Sequence, residues 1–291
     1  MMLKDKVAII TGAGRGIGRS TALLMAEHGA KVVVCDYGVS LDGSAPSSEP
    51  ANAVVREIRE RGGTAVAAVD DVGSFEAGQR IVQLALDSFG RLDCLIHVAG
   101  ILRERMIFNM AEAEWDDVIR VHLKGGFNLL RFATPVMRQQ RSGSIVLFTS
   151  RSGLRGAPGV PNYAAAKMGL VGLARSTAQA MAKYNVTVNC IVPVAFSRMT
   201  QRMAGPMIQA GLGAGEELGL PEDVAPLVVF LCSEAARHVT GQVYTSQGNK
   251  LALWSQPREI RTVYAEGRWT PQGIADIFES QLGQDELVRF K

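Results

Sequence analysis

Val7-Ala-Ile-Ile-Thr11 runs directly into Gly12-Ala-Gly-Arg-Gly-Ile-Gly18, and these two segments together decide the fold. The first is an apolar run of strand length. The glycines of the second serve a tight turn and let backbone N–H groups and a helix N-terminus approach a pyrophosphate. Arg19 to Gly29 continues with helical apolar spacing and a terminal glycine. Lys31-Val-Val-Val-Cys-Asp36 then reads as a second strand ending in a carboxylate. A strand, glycine loop, helix and strand in that order form a dinucleotide-binding unit, although the spacing is GxxxGxG and not GxGxxG. Asp36 stands where a carboxylate accepts bonds from the adenosine ribose hydroxyls and repels a 2′-phosphate. Tyr37 follows it, not arginine, so NAD is expected over NADP. Arg15, inside the glycine loop, is the residue that argues for the 2′-phosphate.

Outward from this unit, strand-like runs recur at 31–36, 64–69, 92–98, 144–150, 186–192 and 242–245, with helical stretches between them. That alternation predicts an α/β fold of Rossmann type. Its expected form is a doubly wound parallel sheet of about seven strands with helices on both faces. Residues 1–250 are read as a single dinucleotide-binding catalytic domain, and 251–291 as an extension packing on its own or a neighbouring subunit. Gly38 to Pro50, rich in serine and proline at 44–50, reads as a mobile surface loop, disordered or folded over the adenosine end.

Chemistry enters at Asn162-Tyr-Ala-Ala-Ala-Lys-Met168. Residues i and i+4 of a helix share a face, which puts the Lys167 ammonium beside the Tyr163 phenol. A phenol titrating near ~10 is a poor acid or base at neutral pH. A nearby cation favours the phenolate and brings it into the useful range. Ser150, thirteen residues upstream, could bond the same substrate oxygen.

Together these motifs resemble the short-chain dehydrogenase/reductase family over roughly residues 3–250. Thr11 to Gly18 resembles its cofactor loop, in which Gly12, Arg15, Gly16, Ile17 and Gly18 would face the dinucleotide. Ser150, Tyr163 and Lys167 are similar in spacing to its catalytic trio, with Lys167 also bonding the nicotinamide ribose. Asp71 and Val72 resemble the pair flanking the adenine, and Phe196 falls among its cofactor contacts. Pro221-Glu-Asp-Val224 and Val239-Thr-Gly-Gln-Val243 resemble its C-terminal landmarks. A narrower likeness, to the (3R)-hydroxyacyl-CoA dehydrogenase domain of multifunctional β-oxidation enzymes, rests on segment 37–50 and three short strings. These are Val121-His-Leu-Lys-Gly125, Ser197-Arg-Met-Thr-Gln201 and Val224-Ala-Pro-Leu-Val228.

Two departures from the family pattern stand out. Leu95-Ile-His-Val-Ala-Gly100 carries His97 and Val98 where the family has two asparagines. Side-chain bonds are expected to be lost there, with backbone at Ala99 and Gly100 left to hold the cofactor. His122 occupies the place of the fourth catalytic residue, an asparagine helping to hold a water that links the lysine to solvent. Imidazole donates and accepts and titrates near ~6.5, so His122 reads either as a replacement relay or as a packed helix histidine.

Arg103, Arg105, Arg151, Arg155, Arg198 and Arg202 follow strand ends, where ligands of open α/β sheets bind. They suit an anionic substrate such as acyl-CoA, or are ordinary surface arginines. Phe196, Met199, Met203 and Met207 read as an apolar lid or as plain core or interface. The expected activity is NAD-dependent interconversion of a secondary alcohol and a ketone, most simply a 3-hydroxyacyl-CoA. The alternatives are a hydroxysteroid or steroid-derived acyl-CoA, and a catalytically inactive dinucleotide-binding regulator.

Composition narrows the partners. A hydrophobic content of 47% supplies a large core, and a net charge of +3 is spread along the chain. The densest basic stretch, Arg56-Glu-Ile-Arg-Glu-Arg61, interleaves acids, so nucleic acid is not expected. No apolar run reaches the ~18 residues of a membrane span. Four histidines far apart, without ligand spacing, predict no metal. Four cysteines without CxxC spacing, no secretory leader and a final Arg289-Phe-Lys291 unlike a peroxisomal address predict a cytoplasmic protein. Family likeness implies a homodimer or homotetramer.

Overall fold

A computed structural model describes residues 1–40, 43–196 and 219–285. Its centre is a sheet of eight strands in the order β3-β2-β1-β4-β5-β6-β7-β8. The strands are β1 (Val7–Thr11), β2 (Lys31–Cys35), β3 (Thr64–Ala68), β4 (Cys94–His97), β5 (Gly143–Phe148), β6 (Val186–Pro193), β7 (Val243–Gln247) and β8 (Lys250–Leu253). The first seven are parallel, as expected. β8, absent from the sequence expectation, runs antiparallel to β7. It is four residues long with Leu251 and Leu253 exposed, so it lacks the buried apolar run that marked the others.

Period-2 alternation divides the strand residues between two cores. Val7, Ile9, Val33, Leu95, Ile145 and Leu147 lie in one cluster, under α3 (Phe75–Phe89), α5 (Gly125–Gln140) and α7 (Pro161–Met181). Ala8, Ile10, Val32, Val34, Ile96 and Val146 lie in the other, under α1 (Gly16–Glu27), α2 (Glu49–Glu60) and α8 (Ala225–Leu231). Strands buried on both faces read as continuous apolar runs, which is why they were legible. Among the described residues this unit also has two shorter helices, α4 (Glu112–Ile119) and α6 (Arg151–Arg155), and a π-helical turn, Arg120–Lys124, joins α4 to α5.

The strand order reverses between β1 and β4, and open α/β sheets place their ligand crevice at such a switch point. The chain divides into compact units at Trp254, four residues beyond the expected boundary, because β8 completes the sheet. In the second unit, α9 (Pro271–Ile277) is capped by Thr270, whose hydroxyl accepts from Gly273 N–H at 3.0 Å. Ile274 and Phe278 remain partly exposed. Among the described residues no helix is long and apolar enough to cross a membrane.

Candidate active site

At the carboxyl ends of β1, β2 and β4 lies a cavity of about 410 Å³. Gly12, Arg15, Gly16, Ile17 and Gly18 form one wall, and Asp36, Tyr37, Asp71 and Val72 a second. Ala99 and Gly100 close it from β4. The glycine loop is folded as a phosphate cradle requires. Gly16 has φ +50° and nothing within 4 Å of where a Cβ would stand, so its backbone is open to a ligand. At Gly18 a Cβ would overlap the Gly12 carbonyl, so α1 starts close against the turn only with glycine there.

Asp36 braces this wall. Its Oδ2 accepts from Gly14 N–H and its Oδ1 from Gly38 N–H, each at 2.7 Å. Each oxygen retains a lone pair for a ribose hydroxyl. Asp71 accepts from Gly73 N–H at 2.9 Å and pairs with Arg120 at 2.5 Å. Asn128, absent from the sequence expectations, holds the Val72 carbonyl at 2.8 Å. The described part of 38–50 is tied down, with Ser40 N–H on the Ser44 carbonyl at 2.8 Å and Ser47 N–H on the Tyr37 carbonyl at 3.1 Å. Val39, Ser40 and Gly43 line the cavity together with Asp36 and Tyr37.

Tyr163, Ser150 and Lys167 converge beside the cavity and do not line it. Ser150 caps α6, its Oγ accepting from Ser152 N–H at 3.1 Å. Asn162, fully buried, anchors the start of α7: its amide donates to the carbonyls of Arg103 and Glu114 and its Oδ1 accepts from Tyr163 N–H at 2.8 Å. No sequence pattern flagged it beyond its place beside Tyr163. Lys167 is buried, with Nζ donating to the Phe148 carbonyl at 2.6 Å and lying 5.5 Å from the Tyr163 ring centroid. Desolvation lowers its pKa to about 7. Burial pushes the Tyr163 phenol up, and hydrogen bonding from the Ser150 hydroxyl draws it partly back. The sequence expectation of a phenol brought down by Lys167 is therefore corrected: the phenol is raised, because desolvation outweighs the Ser150 hydrogen bond.

His122 packs edge-on to Tyr163, ring centroids 5.2 Å apart, within the π turn. Its Nε2 lies 2.9 Å from the Ile101 carbonyl, while Nδ1 is buried and unpartnered. Burial holds its pKa well below the usual imidazole value. A Cβ at Gly100 would overlap the imidazole, so glycine there makes room for histidine.

His97 is the second correction. Side-chain bonds at this position are exchanged, not lost: Nδ1 meets Thr11 Oγ1 at 2.9 Å and Nε2 the His122 carbonyl at 3.0 Å. Phe196 is 43% exposed and does not line the cavity. Of the mouth arginines, Arg103 pairs with Asp117 and Arg105 with Glu114, while Arg155 lies over Trp254. Arg151 donates to Gln247 at 2.7 Å. Arg198, Arg202, Met199, Met203 and Met207 lie outside the described residues.

A cradle for a nicotinamide dinucleotide beside a serine, tyrosine and lysine defines an oxidoreductase acting on a CH–OH group. The chain belongs to the short chain dehydrogenase family, whose sequence model matches residues 6–206. It is 47% identical over 237 residues to the peroxisomal hydratase-dehydrogenase-epimerase of Saccharomyces cerevisiae, covering 81% of this chain and 25% of that protein. The chain thus spans about a quarter of the yeast relative's length. It is 42% identical over 294 residues to a short-chain type dehydrogenase/reductase of Mycobacterium tuberculosis, covering 98% and 99%. A crystal structure of a short chain dehydrogenase from Mycobacterium avium superposes with a TM-score of 0.85 at 38% identity, over 98% of this chain and 97% of that one.

Proposed function

We propose that the protein interconverts a 3-hydroxyacyl-CoA and its ketone with NAD as cofactor. The observation that carries the reading is the convergence of Ser150, Tyr163 and Lys167 beside a cradle whose ribose end is Asp36. Nicotinamide, when bound, supplies the site that accepts or returns a hydride. The chain's own residues then have separate tasks. Ser150 holds the substrate oxygen, and Tyr163 takes or gives its proton. Lys167 would bond the nicotinamide ribose, and its charge would favour the phenolate. His122, packed edge-on to Tyr163 with Nδ1 unpartnered, is assigned the relay of that proton. NAD over NADP follows from the carboxylate of Asp36, which would repel a 2′-phosphate, whereas Arg15 at the cavity's edge favours one.

Support for an acyl-CoA is the likeness at Val121 to Gly125 and Val224 to Val228; the yeast relative's name supports a dehydrogenase only. Three of the described mouth arginines are paired or stacked, which weakens their case as phosphate ligands. A homodimer or homotetramer in the cytoplasm completes the reading; four buried free thiols fit a reducing compartment.

The test follows absorbance of the reduced cofactor with (3R)-hydroxyacyl-CoA and hydroxysteroid substrates, each with NAD and NADP. Turnover of the thioester at kcat/KM at least tenfold above the steroids supports the proposal. Preference for a steroid replaces the substrate, and silence across the panel with retained dinucleotide binding points to a regulator.

A further inference from the structure

His97 closes a directed chain of hydrogen bonds between the wall of the cofactor cavity and the turn that carries His122. The His122 carbonyl can only accept, so His97 Nε2 bears the proton at 3.0 Å. Nδ1 is then an acceptor, and the Thr11 hydroxyl donates to it at 2.9 Å. The Thr11 oxygen in turn accepts from Val98 N–H at 3.2 Å and Ala99 N–H at 3.3 Å. Every member is determined by its neighbour, and His97 is 1% exposed. Its lowered pKa of about 4, from burial, keeps it in this neutral form.

Both ends of the chain matter. Thr11 ends β1 immediately before the glycine loop, and Val98 and Ala99 line the cavity. At the other end, the His122 carbonyl in the π turn accepts from Gly125 N–H and, with its second lone pair, from His97. His122 of the same turn presses its ring on Tyr163.

We propose that His97 is a positioning residue: by tying the His122 carbonyl to Thr11, it fixes the π turn and with it the His122–Tyr163 contact against the cofactor wall. This rests on Tyr163 being the acid–base group. Loss of the tie lets the turn slide, which misplaces the proton-handling groups more than it weakens binding, since misalignment acts chiefly on kcat.

Three variants of the full chain test it: His97→Phe keeps a ring without nitrogens, His97→Gln offers an amide N–H near the Nε2 position, and Tyr163→Phe is the reference. Expected for His97→Phe is a kcat at least tenfold lower, with KM and dinucleotide Kd within threefold of wild type. His97→Gln should recover kcat to within threefold. A folded His97→Phe with wild-type kcat, beside an inactive Tyr163→Phe, overturns the inference alone, as does equal loss in Phe and Gln variants. If His97→Phe does not fold, Thr11→Val breaks the chain at its other end, and unchanged kcat there overturns it equally. A wild type inactive on every secondary alcohol removes the functional reading and this inference together.

Discussion

Lys167 spends its buried ammonium on the Phe148 backbone carbonyl, 2.6 Å away, while Tyr163 sits beside it with its phenol raised by burial. The two side chains share a helix face, as i and i+4 spacing demands, and the ammonium stands 5.5 Å from the ring centroid. Burial thus raises the Tyr163 phenol and lowers Lys167, to about 7, on one helix face.

Tyr163→Phe is expected to lower kcat by roughly 10²–10⁴, the usual worth of positioned acid–base catalysis, with dinucleotide affinity within threefold. The ring keeps its packing against His122 and only the transferable proton goes. Steady-state kinetics and a dinucleotide titration check it; a variant keeping more than a tenth of wild-type kcat would remove Tyr163 from this role.

Cofactor choice follows from Asp36. NAD should exceed NADP in kcat/KM by about 100-fold, roughly 2.7 kcal/mol. Asp36→Ala should narrow that ratio and, because Gly14 and Gly38 lose their acceptor, raise KM for both cofactors. Equal efficiency in the wild type would assign the choice to Arg15.

Stability should fall as pH drops from about 6.5 towards 4. His97 is held neutral by burial, its pKa depressed to about 4, and His122 is depressed in the same direction. The unfolded chain binds these protons first, so the contribution is complete above the unfolded pKa and is lost through the folded one. For His97 that gap is worth at most roughly 3 kcal/mol. Thermal melts across this range should show a shallower slope for His97→Gln; an unaltered slope would show that His97 does not titrate between the two states.

Truncation after Trp254 should leave a cooperative fold, because all the described strands and both apolar clusters lie within residues 1–254. We expect Tm within about 4 °C of the full chain, on the order of 1 kcal/mol for a domain of this size. Differential scanning calorimetry measures it, and loss of the transition would make residues 255–291 part of the folding unit.

Local signals carried most of the architecture. Val7–Thr11 with its glycine loop, Asp36 at a strand end and the Tyr163/Lys167 spacing are each read within a dozen residues, since strand burial, turn conformation and helix periodicity are local properties. What depended on distant contacts was not legible. β8 exists because β7 offers an edge, and Asn128 and Asn162 matter because they meet carbonyls 48–59 residues away. By sequence alone His97 implies lost side-chain bonds; only folding brings Thr11 and the His122 carbonyl to its two nitrogens, 86 and 25 residues off. The direction of the Tyr163 shift was likewise decided in three dimensions. Sequence spacing supplies the neighbouring cation, but desolvation comes from everything packed around the site.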